Sequence, residues 1–164
     1  MNAALIPADV QHAYRLIVEY LGTSFSLDSL LDFLAACRGK SVRLEEQTLP
    51  IGITGYCFAF QDVDLIVVRY RLDPVRRLGT CLHECAHFFL RHIPRTSAGE
   101  ATTTFAAFVE QHVQGDVDRL RACYDEPQER AAEMLATLLI AHVDGTAHHI
   151  PETARQMYGY RSHT

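Results

Sequence analysis

Two histidines four residues apart, the first followed directly by a glutamate, occur at His83-Glu84-Cys85-Ala86-His87. On a helix, positions i and i+4 lie one turn apart on the same face, so both imidazoles can aim at one point. That geometry suits a tetrahedral zinc ion, and Glu84 stands beside the coordination position left for a water. Zinc lowers the pKa of such a water to roughly 7, so a nearby carboxylate can take its proton at neutral pH. The spacing predicts hydrolysis at a Zn2+ site, with His83 and His87 as metal ligands and Glu84 as the catalytic base.

A catalytic zinc takes three protein ligands and keeps one position open, so a third donor must come from elsewhere. His92 follows His87 by five residues and lacks the glycine-bearing spacing of motifs whose third ligand is a downstream histidine. A glutamate on a later helix is the other source. Glu129 and Glu133 share one helical face, so one can ligate while the other accepts the second N–H of a ligand histidine. Glu133 suits that supporting role.

Other candidates are weaker. Cys81 and Cys85 lie on the motif helix, but an offset of two residues rotates them roughly 200° away from His83 and His87, toward the core. His142, His148 and His149 form a loose histidine-rich stretch, read as surface histidines for want of a partner motif. Tyr124, Tyr158 and Tyr160 are possible donors to an oxyanion, and the sequence does not choose among them.

The elements that must position these groups follow from periodicity. Val10, Tyr14, Ile17, Val18 and Leu21 mark a helix from about Ala8 to Leu21, ended by Gly22. Ser26 caps a second helix carrying Leu27, Leu30, Leu31 and Leu34, with Gly39 past its end. Val42–Glu46, Gly55–Phe60 and Leu65–Tyr70 read as short strands, with Gln61 to Asp64 as a hairpin turn. Asp73-Pro74 starts the motif helix, expected to run to about Arg91. The stretch 96–125 has no assigned role, although Phe105, Phe108, Val109 and His112 could line a helix face. Pro127 opens the helix of Ala131, Leu135, Leu138 and Leu139, to about His142.

The 164 residues, 48% hydrophobic, suit one domain spanning 1–164, with the N-terminal helix (1–25) and the tail (150–164) expected to be peripheral. A net charge of −5 supplies no obvious phosphate-neutralising surface, so direct nucleic-acid binding is not expected. Charges interrupt every apolar run before it could span a bilayer, and Met1–Asp9 lacks the basic start and apolar core of an export signal. Five scattered cysteines fit reduced thiols, which predicts a cytoplasmic protein.

The segment from Arg76 to His92, with its arginines, HExxH, apolar run and closing histidine, resembles the first motif of the ImmA/IrrE metallopeptidases. Glu129-Arg130-Ala131-Ala132-Glu133-Met134-Leu135-Ala136-Thr137-Leu138-Leu139 is similar to that family's second motif, and the alignment puts the ligand glutamate on Glu129. The resemblance covers roughly 26–140. This chain has Ala86 where the family often has Gly, Leu135 where it usually has an aromatic, and Ile140-Ala141 in place of the family's closing LLxP. The resemblance implies an α+β, zincin-like fold: a small, mostly antiparallel sheet packed on the HExxH helix, with additional helices.

The function so implied is that of a zinc metalloendopeptidase, a hydrolase whose protein substrate is typically a helix-turn-helix transcriptional repressor, cleaved in stress responses. Substrate would add as an extended strand to the 55–70 hairpin. The alternative is a catalytically silent zinc-binding regulatory module that holds a protein partner without turnover. Oligomeric state is not encoded in any recognised pattern.

Overall fold

A computed structural model describes residues 6–92 and 124–144 of the chain. These form an α+β unit of four helices and one three-stranded sheet, in the order α1 (Ala8–Leu21), α2 (Leu27–Arg38), β1 (Ser41–Gln47), β2 (Gly55–Ala59), β3 (Val63–Arg69), α3 (Pro74–Phe89) and α4 (Glu126–Ile140). The segments 93–123 and 145–164, with His112, His148, His149, Tyr158 and Tyr160, lie outside the described residues. None of the helices among the described residues is long and apolar enough to cross a membrane.

Local chemistry sets most helix ends. The Ser26 hydroxyl accepts from the Ser29 N–H at the start of α2, and Gly39, at φ 68°, ends that helix in a left-handed conformation. The Asp73 carboxylate accepts from the Arg76 N–H ahead of Pro74. At α4, Asp125 and Gln128 form a reciprocal capping box, with Pro127 in the first turn where its missing N–H costs nothing.

The sheet is mixed, which corrects the expectation of a mostly antiparallel one. Strand order is β1-β3-β2; β2 pairs antiparallel with β3, but β1 pairs parallel with β3 along its whole length. The reason is the connection: after β1 the chain crosses to the far edge before turning back, so β3 returns between the two in the direction of β1. Residues 48–54 make that crossing, and no sequence pattern dictates whether a loop of that length closes a hairpin or steps over a strand.

The hairpin turn is also tighter than expected. Val63 and Asp64 belong to β3, and the Phe60 N–H donates to the Val63 carbonyl across the turn. Asp64 looks like a turn residue in sequence because its carboxylate should avoid the core. It is fully buried, and its charge is met by Arg38 at 2.5 Å and Lys40 at 3.0 Å. The Arg38 guanidinium also lies 5.1 Å over the Phe88 ring, tying α2 to both β3 and α3. Stranding a buried charge costs roughly 3–5 kcal/mol. With Lys40 remaining, Arg38→Ala is expected to cost roughly 2 kcal/mol, and Arg38→Ala/Lys40→Ala more than the two single changes together. Urea unfolding checks this; strict additivity would show that the two cations do not share Asp64.

The motif helix α3 has three distinct faces. Leu82 and Ala86 pack with Val10 and Ile17 of α1 and with Ala132, Leu135 and Leu139 of α4. Cys81, Cys85 and Phe88 pack on Cys57, Ile66 and Val68 of the sheet and on Leu34 of α2. The third face carries His83 and His87. The first helix, expected to be peripheral, therefore belongs to the main core: Val10 and Ile17 are completely buried.

A second tie joins the N-terminal helices to α4. Phe25 and Val143 form a parallel bridge, with Phe25 N–H donating to the His142 carbonyl and Asp144 N–H to the Phe25 carbonyl. The His142 ring spans Thr23 O at 2.9 Å and the Tyr14 hydroxyl at 2.7 Å. His142 is therefore a structural link between α1, the turn that follows it and the end of α4.

Candidate metal centre

Helices α3 and α4 cross beside the edge strand β2, and the space between them is a groove of about 600 Å³. Its walls include Gly55, Cys57, His83, Glu84, His87 and Glu129. The arrangement follows from α3 having its apolar positions divided between α4 and the sheet, which leaves the histidine face turned toward the seam.

His83, His87 and Glu129 form a cluster able to hold a metal ion. His83 Nε2 lies 3.1 Å from His87 Nε2 and 3.1 Å from Glu129 Oε2, and His87 Nε2 lies 3.7 Å from Glu129 Oε1. Ligands placed 2.0–2.1 Å from a tetrahedral zinc stand about 3.3–3.4 Å from one another. One donor atom from each of the three residues lies within 4.8 Å of the other two, so the three side chains converge on one space that an ion could occupy. Two imidazole nitrogens facing each other at hydrogen-bond distance beside a carboxylate need a proton or a cation between them. The residues fit a divalent cation.

Comparison with protein-family models, curated proteins and solved structures returns no match. Geometry alone therefore carries the assignment of roles.

Glu133, one helical turn beyond Glu129, has its carboxylate 3.2 Å from His83 Nδ1. With the Nδ1 proton donated to Glu133, His83 presents the Nε2 lone pair to the cluster. That hydrogen bond holds the Glu133 carboxyl below the usual range, against the opposing effect of burial. Burial acts to lower the His83 value, yet the hydrogen bond to Glu133 and the charges of Glu84, Glu129 and Glu133 together raise it. His87 differs sharply. Burial, followed by the positive charges of His83 and His92, lowers it from 6.5 to about 3, so its ring is neutral at ordinary pH.

Glu84 is 7% exposed and sits beneath β2. Burial raises its carboxyl from 4.5 to about 7, with His83 opposing and Glu129 reinforcing the rise. A pKa near neutrality suits a group that must both take and return a proton. The Cys57 thiol hydrogen-bonds this carboxyl, and the Tyr124 hydroxyl lies 3.3 Å from the Cys57 sulfur. Tyr124 also stacks on the His87 ring, with centroids 3.7 Å apart and planes within 11°.

Cys57 and Tyr124 are thus parts of the site that motif reading does not find. The only sequence signal for Cys57 is its position two residues after Gly55, on the same strand face. Tyr124 was visible only as one of three possible oxyanion donors, and its hydroxyl turns instead toward the sulfur. Cys81 and Cys85 are completely buried against the sheet, away from the cluster. Burial keeps both thiols protonated.

The raised Glu84 value has a consequence for stability. The carboxyl ionises near 4.5 in the unfolded chain and near 7 in the folded, metal-free protein. Its favourable contribution is complete below 4.5 and is lost as pH rises through about 7, a loss of roughly 3 kcal/mol. Glu84→Gln carries no charge, so the metal-free variant should gain on the wild type as pH rises from 4 to 8.5. Urea unfolding at both pH values tests this, and a gap independent of pH would refute a buried, titrating Glu84.

Proposed function

We propose that this chain is a zinc-dependent endopeptidase of the ImmA/IrrE type, with a zincin-like fold, that cleaves a specific protein in the cytoplasm. A helix-turn-helix transcriptional repressor is the proposed substrate. The observation that carries the reading is the convergence of His83, His87 and Glu129 donor atoms to within 4.8 Å of one another, with the buried Glu84 carboxyl lining the same groove.

His83, His87 and Glu129 would hold the ion, and Glu133 fixes the His83 ring. Bound zinc would supply Lewis-acid polarisation of the scissile carbonyl and would acidify the attacking water. Glu84 takes the proton from that water and hands it to the departing amine, a transfer suited to a carboxyl balanced near pH 7. The Cys57 thiol points the Glu84 carboxyl, and Tyr124 covers one face of His87. Substrate lies in extended form along β2, the sheet-edge strand that walls the groove, so recognition is led by backbone hydrogen bonds.

The test has two stages. Metal analysis and zinc titration of purified protein should give one equivalent; under one-tenth of an equivalent, with none taken up on titration, would end the proposal. Zinc-loaded protein is then incubated with helix-turn-helix proteins encoded beside it, and fragments are weighed by mass spectrometry. A repressor bound but left intact under all conditions would point instead to a silent zinc-binding module.

A further inference from the structure

The last turn of α3 delivers a second histidine to the back of the metal-binding one. Leu90 caps the helix, and Arg91 follows at φ 54°, a left-handed conformation carried by a residue other than glycine. The Arg91 N–H donates to the Phe88 carbonyl at 3.1 Å and the His92 N–H to the His87 carbonyl at 3.0 Å. These two nested hydrogen bonds are those of a Schellman motif, which folds the second residue beyond the helix back over the third residue from its end. Here those two positions are His92 and His87. Their ring centroids are 5.1 Å apart, and their Nδ1 atoms are 2.9 Å apart.

Two ring nitrogens at that distance share one proton, and the site decides its owner. His87 Nε2 faces His83 Nε2 and Glu129, so it must present a lone pair to act as a ligand. In a neutral imidazole the proton is then on Nδ1. We propose that His92 is the positioning residue for the ligand His87, accepting the His87 Nδ1–H and so holding Nε2 toward the metal. This inference rests on the metal-site reading above.

The hydrogen bond has work that packing does not do. Tyr124 stacked on the ring keeps His87 in its plane, but stacking does not choose which edge of the imidazole faces the cluster. Glu133 makes that choice for His83; His92 makes it for His87. The two ligand histidines are thus held by different kinds of acceptor, one a carboxylate and the other an imidazole.

An asparagine at position 92 can place its amide oxygen near the position of the histidine Nδ1, whereas leucine fills similar space without an acceptor. Zinc affinities of wild type, His92→Leu and His92→Asn are to be measured by competition with a chromophoric chelator. The expected result is a loss of about 10- to 100-fold for leucine and recovery to within about threefold for asparagine. Leucine binding as tightly as wild type, or asparagine binding as weakly as leucine, would overturn the inference. A wild type that takes up no zinc would overturn the metal reading itself.

A second measurement needs no metal. Nitrogen-15 correlation spectra of the metal-free protein should show His87 protonated on Nδ1 in the wild type and in His92→Asn. A tautomer unchanged in His92→Leu would likewise refute the role.

Discussion

Glu84→Gln is expected to bind zinc as the wild type does and, under the proposed peptidase activity, to cleave the substrate about 100- to 10,000-fold more slowly. The amide has the shape of the carboxyl and still offers an oxygen to the Cys57 thiol, so the α3–β2 contact should persist. It cannot accept a proton from water. His83, His87 and Glu129, the three groups with metal-ligand spacing, are untouched by the change. Zinc content and fragment formation are measured on the same preparation. Wild-type cleavage by a zinc-loaded variant would remove Glu84 from the role of base, whereas loss of both metal and cleavage would mean that Glu84 supports the ligand set.

The second large effect is expected at Gly55→Ala. A Cβ there would lie 2.4 Å from Thr80 Cγ2 and 2.8 Å from the Val67 carbonyl oxygen. Gly55 is needed for the space it leaves and for no unusual dihedral: it opens β2 against Thr80 of α3, with Glu84 Oε1 next in line at 3.6 Å. A methyl at this point cannot be absorbed by a flexible side chain, because one obstacle is the backbone of the neighbouring strand. Overpacking of this kind costs about 1–3 kcal/mol, which for a chain of this size lowers Tm by about 3–9 °C. Thr80→Ser removes the nearer methyl, so Gly55→Ala/Thr80→Ser should recover part of the loss while the contact with Val67 keeps the rest. A Tm unchanged in Gly55→Ala would mean that the strand can move freely off the helix.

Both predictions concern one seam, and the parts of it differ in how readable they were. The HExxH spacing places His83 and His87 on one helical face because the helix repeat is a local property. The same arithmetic places Cys81 and Cys85 on another face, and the structure has them packed on the sheet. The ends of α2, α3 and α4 were legible from Ser26, Asp73-Pro74 and Pro127, since caps act within a few residues. Asp64 was misplaced in the hairpin turn because its burial depends on Arg38 and Lys40, which lie more than twenty residues earlier in the chain.

Sheet topology and the peripheral placing of α1 failed for a related reason. A strand pattern states which residues face the core but not which neighbour the strand will find. The amphipathic pattern of α1 shows that one side is apolar without showing that α4 will cover it.

By itself, then, the sequence determined the helical face of the two histidines, the glutamate beside them, and the short list of acids able to complete a metal site. Periodicity and capping are decided by neighbours in the chain, so they can be read there. Only the tertiary structure decided that Glu129 lies at ligand distance while Glu133 meets the far side of His83, that β1 runs parallel to β3, and that Cys57, Tyr124 and His92 stand against the working groups. Those are distances between elements, and they exist only once the apolar faces of α1, α3, α4 and the sheet have settled against one another.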